Sequence, residues 1–235
     1  MQQTRKTAKT TRSRRPFYNF WHDLVKITGG PLVWLWLRPR IYRPYKTKIP
    51  KGAVLISVNH RSFLDPLTVL VSLLSRRLHC LVTKDLYDKG PMGPFLDRLH
   101  CIRVDKDNFT LSAFHDVVDR LQNGHAVVIF PEGEVNRTKK GELLAFKSGA
   151  VLMAHKSGAP ILPVYIADHY RWYQRRRVVI GEPLALASAL GEMPSMAALT
   201  AASDELRARE LALKEYFESL PVYKRLLRSK KQPKK

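Results

Sequence analysis

From residue 53 onward, short apolar runs alternate with segments of helical period, and this alternation limits the fold more than any other feature. "AVLISV" (53–58), "HCLVTK" (79–84), residues 101–104, "HAVVIF" (125–130), 161–166 and 178–181 have the length and apolar content of buried strands. Helical patterns fall near 66–76, 92–98, 110–123 and 145–157. Strands that are apolar on both faces and joined by helices imply an α/β fold, with a mostly parallel central sheet flanked by helices. A chain of 235 residues suits one such domain with appendages, placed here at 46–222. Its last helix spans 195–220, where Leu199, Leu206, Leu213 and Leu220 recur every seven residues.

The region in front has a different character. In "FYNFWHDLVKIT" (17–28), Phe17, Phe20, Trp21, Leu24 and Val25 share one helical face, and Asn19, His22, Asp23 and Lys26 share the other. "GGP" at 29–31 reads as a break, and "LVWLWLRPRIY" follows with tryptophans beside arginines, the composition of an interface anchor. An amphipathic two-helix membrane-interface hairpin is therefore expected over 17–45; the bland reading packs it on the core.

The formal charge of +21 is concentrated in basic tails at 1–16 and 223–235, which calls for a polyanionic partner: nucleic acid or an anionic membrane surface. "HYRWYQRRRVVI" (169–180), with aromatics between arginines, suits either partner. No helix-turn-helix, zinc-finger or RRM signature accompanies it, so no nucleic acid is expected. No secretory signal and no run of about 20 apolar residues is seen, so the expected location is the cytoplasmic face of the cell membrane, peripheral or monotopic. Cys80 and Cys101 lie in apolar stretches and read as reduced, buried thiols.

"VNHRSFLD" (58–65) ends a strand and places His60 and Asp65 five positions apart. On a continuous helix the two side chains would point about 140° apart, so only a turn brings them together. Asp65-Pro66 supplies a helix start, and His60 then sits at the carboxyl end of a strand, where open α/β sheets bind ligands. A carboxylate beside an imidazole fixes its tautomer and supports general-base chemistry on a hydroxyl. The plainer alternative is a capping aspartate beside a loop histidine. Ser62 has no nucleophile elbow, and the other histidines lack metal-ligand spacing, which disfavours a serine hydrolase and a metal phosphohydrolase.

A second strand opens into a loop at "VVIFPEGEVNRT" (127–138), with Arg137, Lys139 and Lys140 close behind, a composition suited to a phosphate. Together the stretches resemble the glycerolipid acyltransferases of the bacterial 1-acyl-sn-glycerol-3-phosphate acyltransferase type. "NHRSFLD" matches H-x-x-x-x-D, "FPEG" matches the start of F-P-E-G-T-R, and "CIRVDKDN" and "GAPILPVYI" fit two further blocks. Two departures stand out: Val135 replaces the loop arginine, and Lys106 replaces the arginine of the V-D-R block.

The resemblance implies transfer of a fatty acyl group from acyl-CoA or acyl carrier protein to the free hydroxyl of a lysophospholipid, typically lysophosphatidic acid. It implies His60 as the base, Asp65 as its partner, and Lys106, Glu132, Gly133, Arg137 and Lys147 around the acceptor, with neither metal nor cofactor. The same chemistry on another lysophospholipid or alcohol is the alternative that the two departures raise.

Overall fold

The computed structural model describes residues 19–46, 48–105, 110–138, 142–167, 175–186 and 190–231. The basic stretch 1–16, Lys106, Lys139, Lys140, residues 169–174 and the last four residues therefore lie outside the described residues. Seven strands form one sheet: β1 (Arg40–Tyr42), β2 (Val54–Val58), β3 (Leu78–Thr83), β4 (Ile102–Val104), β5 (Ala126–Ile129), β6 (Ile161–Ile166) and β7 (Arg177–Ile180). Their order is β1-β7-β6-β2-β5-β3-β4, and every neighbouring pair is parallel except β6 with β7.

The helices are α1 (Phe20–Leu37), α2 (Asp65–Ser72), α3 (Lys84–Tyr87), α4 (Met92–Arg98), α5 (Leu111–Gln122), α6 (Gly149–Ser157), α7 (Met196–Ser219) and α8 (Pro221–Lys231). Every residue of β2, β5 and β6 is buried, as continuous apolar runs require. One core cluster joins Leu55, Val127 and Ile161 to α5, α6 and α7; the other joins Val54, Ile56 and Val128 to Val69 and Leu73. The expected α/β architecture is thus the observed one.

Two expectations need correction. Among the described residues of 17–45 no hairpin forms, because α1 runs unbroken through Gly29, Gly30 and Pro31. Proline removes one helical hydrogen bond, but packing outweighs that local penalty. Gly30 has no side chain, and a Cβ there would lie 3.6 Å from Leu74, so the helix approaches the end of α2 closely. The segment after it is not helical either: Arg40–Tyr42 joins the sheet as edge strand β1. At the other end, residues 223–231 of the expected basic tail continue a helix, α8, that begins at Pro221, with Val222, Tyr223 and Leu226 packed against the core.

α1 is turned inside out relative to a helix in water. Its polar face is the docked one: Arg77 donates to both Asp23 carboxylate oxygens at 2.7 and 2.8 Å, Lys26 Nζ donates to the Arg76 carbonyl, and His22 is buried. Its apolar face looks outward, with Phe20, Trp21, Leu24, Ile27, Leu32, Trp34, Leu35 and Trp36 between 37% and 72% exposed. Contiguous exposed apolar area of this kind marks a surface meant for a non-aqueous contact. No described helix is long and apolar enough to cross a membrane.

Under α1, the His22, His100 and His79 rings stack with centroid separations of 5.7 and 5.5 Å, and His125 adjoins His79 at 4.8 Å with its ring tilted by 50°. Arg120 Nη1 lies 2.7 Å from His79 Nδ1, and the guanidinium charge disfavours protonation of that ring. Burial, then the Arg120 charge, lowers His79 to about 3; burial, then His22, lowers His100 to about 4. Histidines held below their ordinary value of 6.5 contribute stability above that pH and withdraw it as pH falls through their folded values. Thermal unfolding is therefore expected to occur at progressively lower temperature between pH 6.5 and 4. His22→Phe, which keeps a ring and removes one protonation site, is expected to make that decline shallower.

Glu210 of α7 is fully buried and accepts a 2.6 Å hydrogen bond from Ser57 Oγ. Burial drives its carboxyl well above the ordinary value of 4.5, with the Glu132 charge adding to the effect. A carboxyl raised in this way contributes stability below 4.5 and loses it as pH rises through the folded value. Glu210→Gln does not titrate, so its urea midpoint relative to wild type is expected to climb steadily from pH 4.5 to 8.

Candidate active site

β2 and β5 are parallel neighbours, paired at Ser57↔Ile129, so the loops that follow them leave the same edge of the sheet. The first loop begins with Asn59, which is fully buried and pairs with Ile166 in both directions: Nδ2 donates to its carbonyl at 3.0 Å and Oδ1 accepts its N–H at 2.7 Å. This anchors the end of β2 on β6, and His60 comes next.

The turn that the spacing demands is built around Asp65. Its carboxylate is fully buried, and Oδ2 accepts the N–H groups of Arg61 and Ser62, each at 2.6 Å, and faces His60 Nδ1 at 3.2 Å. The two readings of this stretch therefore merge. Asp65 does bind backbone N–H groups, but those of the preceding loop rather than the free N–H groups of α2, and the same oxygen holds the imidazole. With Nδ1 donating to the carboxylate, Nε2 carries the free lone pair. The imidazole lies on the Phe130 ring, with centroids 4.2 Å apart at 26°, which fixes its plane.

The second loop, residues 130–138, closes onto the first. Glu132 is buried: Oε1 accepts the His60 N–H at 2.9 Å, and Oε2 accepts Asn136 Nδ2 at 2.8 Å and the Leu144 N–H at 3.0 Å. Asn136, also buried, donates its backbone N–H to the His60 carbonyl at 2.7 Å. Gly133 takes φ +75°, the left-handed region that glycine tolerates best, and lets the Lys147 side chain pass directly over it. The Lys147 backbone N–H also donates to the Pro131 carbonyl at 2.9 Å.

His60, Gly133, Arg137 and Lys147 line one cavity of about 1550 Å³. The rest of its wall is chiefly apolar: Val33 of α1, Leu67 and Leu70 of α2, Leu96 of α4 and Met153 of α6. Small-molecule pockets run to about 1000 Å³, so this space admits a ligand with a long hydrocarbon part. Of the residues singled out in the sequence, His60, Asp65, Glu132, Gly133, Arg137 and Lys147 meet here, while Lys106 lies outside the described residues. Sequence reasoning passed over Asn59, Phe130 and Asn136. Asn59 and Phe130 stand inside the quoted stretches "NHRSFLD" and "FPEG" and Asn136 just behind the second, with asparagines where a strand end and a loop need polar caps.

The mostly parallel sheet thus carries an imidazole–carboxylate pair at its strand ends, open to a large and chiefly apolar cavity. The Acyltransferase family model matches residues 41–167, more than half of the chain, so the chain belongs to that family and is an acyltransferase. Among its relatives, the 1-acyl-sn-glycerol-3-phosphate acyltransferase of Bacillus subtilis (strain 168) is 27% identical over 186 residues, covering 77% of this chain and 90% of its own. The human 1-acyl-sn-glycerol-3-phosphate acyltransferase beta is 27% identical over 169 residues, 71% of this chain and 59% of its own. In fold, the chain is similar to the crystal structure of the 1-acyl-sn-glycerophosphate (LPA) acyltransferase of Thermotoga maritima, with TM-score 0.64, 20% identity, and coverage of 90% and 86%. The family that the two motifs resemble is the family found.

Gly133→Ala adds a Cβ 2.6 Å from Lys147 Cε and Nζ on backbone that disfavours it. The substitution is expected to cost about 1–2 kcal/mol in denaturant unfolding and to push the lysine off the loop, visible as a changed Lys147 environment by NMR.

Proposed function

We propose that the protein transfers a fatty acyl group from an acyl thioester, acyl-CoA or acyl carrier protein, to the free hydroxyl of lysophosphatidic acid, giving phosphatidic acid. The observation that carries this reading is the His60–Asp65 pair opening into a mostly apolar cavity that also holds Arg137 and Lys147. The relatives' names supply the acceptor, and the chemistry of the cavity is compatible with it.

In this mechanism His60 Nε2 takes the proton of the acceptor hydroxyl as its oxygen attacks the thioester carbonyl. The C–S bond of the tetrahedral intermediate then breaks, and the imidazolium returns the proton to the leaving thiolate. Asp65 holds the ring and stabilises its charged form. Arg137, Lys147 and Lys106 bind the acceptor phosphate, with Glu132 and Gly133 shaping the loop that presents them. No bond to the enzyme forms, and neither metal nor cofactor takes part.

The protein works at an anionic membrane surface, on the cytoplasmic face, as a peripheral or monotopic enzyme. The outward apolar face of α1, with Trp21, Trp34 and Trp36, supports that placement, as does the net charge of +21. A second acceptor class, a lysophospholipid with another headgroup, has its own support: Glu134 and Val135 line the cavity where the family pattern carries threonine and arginine.

The decisive experiment supplies the purified protein with acyl-CoA or acyl carrier protein, anionic vesicles and a panel of lysophospholipids, and identifies the products by mass. Phosphatidic acid is expected as the main product, and His60→Ala is expected to lower its formation by about 10² to 10⁴ with the fold retained. Near-normal turnover of His60→Ala would end the general-base reading, and a different main product would move the assignment to that acceptor.

A further inference from the structure

The two loops at the strand ends do more than lie side by side. The His60 peptide group is held at both of its polar atoms by the second loop: its N–H by Glu132 Oε1 at 2.9 Å and its carbonyl by the Asn136 N–H at 2.7 Å. The Asn136 side chain binds the grip together. Nδ2 donates to Glu132 Oε2 at 2.8 Å and to the Glu142 carbonyl at 2.5 Å, and Oδ1 accepts the Thr138 N–H at 3.0 Å and its hydroxyl at 2.7 Å. A third tie runs from the residue after His60: Arg61 donates to the Thr138 carbonyl at 2.8 Å and to its hydroxyl at 3.3 Å. Asn136 is 2% exposed and uses both donor and acceptor sides of its amide, which no other residue type matches at this size.

We propose that Asn136 is a positioning residue that locks the backbone of His60 to the headgroup-facing loop 131–138, so that the loop presenting Arg137 and Gly133 also sets where the imidazole stands. This rests on His60 being the base. Where an imidazole stands depends on the path of its backbone as well as on its χ angles. Asp65 and Phe130 fix the χ angles, and Asn136 with Glu132 fixes the backbone.

A consequence for specificity follows. Any shift of the headgroup loop is transmitted to His60 through bonds to its own peptide, and a base displaced by about 1 Å can lose on the order of a hundredfold in rate. An acceptor whose headgroup seats the loop is therefore rewarded in kcat as well as in KM, which is how binding of a remote group can accelerate a reaction.

The test uses the full chain with vesicles of lysophosphatidic acid and acyl-CoA, and three variants. Asn136→Ala removes the grip. Asn136→Asp keeps the shape but sets a second carboxylate against Glu132. Thr138→Val loosens the amide from the exposed end of the network and leaves the buried groups in place. The Asn136 variants are expected to lose roughly ten- to hundredfold in kcat, with the KM for acyl-CoA within about twofold, and Thr138→Val roughly three- to tenfold. The His60 ring resonances in ¹⁵N-histidine spectra are expected to shift in all three. Glu132→Gln added to Asn136→Asp is expected to recover part of the loss by restoring a donor opposite the new carboxylate.

Folded Asn136→Ala and Thr138→Val proteins with kcat within about twofold of wild type and unshifted His60 resonances would overturn the proposal. Should the Asn136 variants fail to fold, Thr138→Val decides by the same two readouts. His60→Ala separates the questions: an active His60→Ala protein removes the base reading, whereas an inactive one beside fully active Asn136 and Thr138 variants removes only the positioning role.

Discussion

One buried carboxylate oxygen organises the working end of this molecule. Asp65 Oδ2 takes two backbone N–H groups and faces the His60 ring, with no exposed surface of its own. A carboxylate without water is costly to keep unless donors surround it, so the loop must curl until those donors arrive. The turn that brings His60 over Asp65 is therefore the geometry that satisfies the charge. The rest of the site is arranged about that turn: Phe130 stacks on the ring it presents, Glu132 binds its peptide, and Lys147 crosses Gly133 beside it.

Much of the fold was legible because its strands are buried on both faces and cannot be mistaken for surface elements. Residues 161–166 fall where expected, and β2, β3, β5 and β7 differ by a residue or two at their ends. Local signals failed where tertiary packing overrode them. Gly29, Gly30 and Pro31 look like a helix break in isolation, yet α1 continues because its polar face gains Arg77, Arg76 and the histidine stack as partners. The basic residues from 223 onward read as a tail for a polyanionic partner, yet Tyr223 and Leu226 pack against the core within a helix.

The site was legible in the same uneven way. His60, Asp65 and Glu132 sit in motifs whose spacing carries meaning along the chain. Asn136 and Asn59 do not, because their roles exist only once loops far apart in sequence, or a neighbouring strand, have been brought together by the sheet. Position 60 and position 132 are 72 residues apart, and nothing local to either announces a bond between them. A polar residue that serves as a fastener between distant segments has no pattern of its own.

The facing of α1 has a consequence for how a substrate travels. The same helix that turns Ile27, Leu32 and Leu35 outward lends Val25 and Val33 to the cavity wall, so the outer apolar surface and the reaction chamber are two sides of one partition. Such a partition is about 10–12 Å thick, the diameter of a single helix. Under the proposed reading, a lipid lying against the outer side needs only a short sideways step around one helix to reach His60, with its tail kept out of water. Substrate supply then becomes two-dimensional: collisions are counted per area of leaflet, and the bulk concentration of so insoluble a molecule ceases to set the rate.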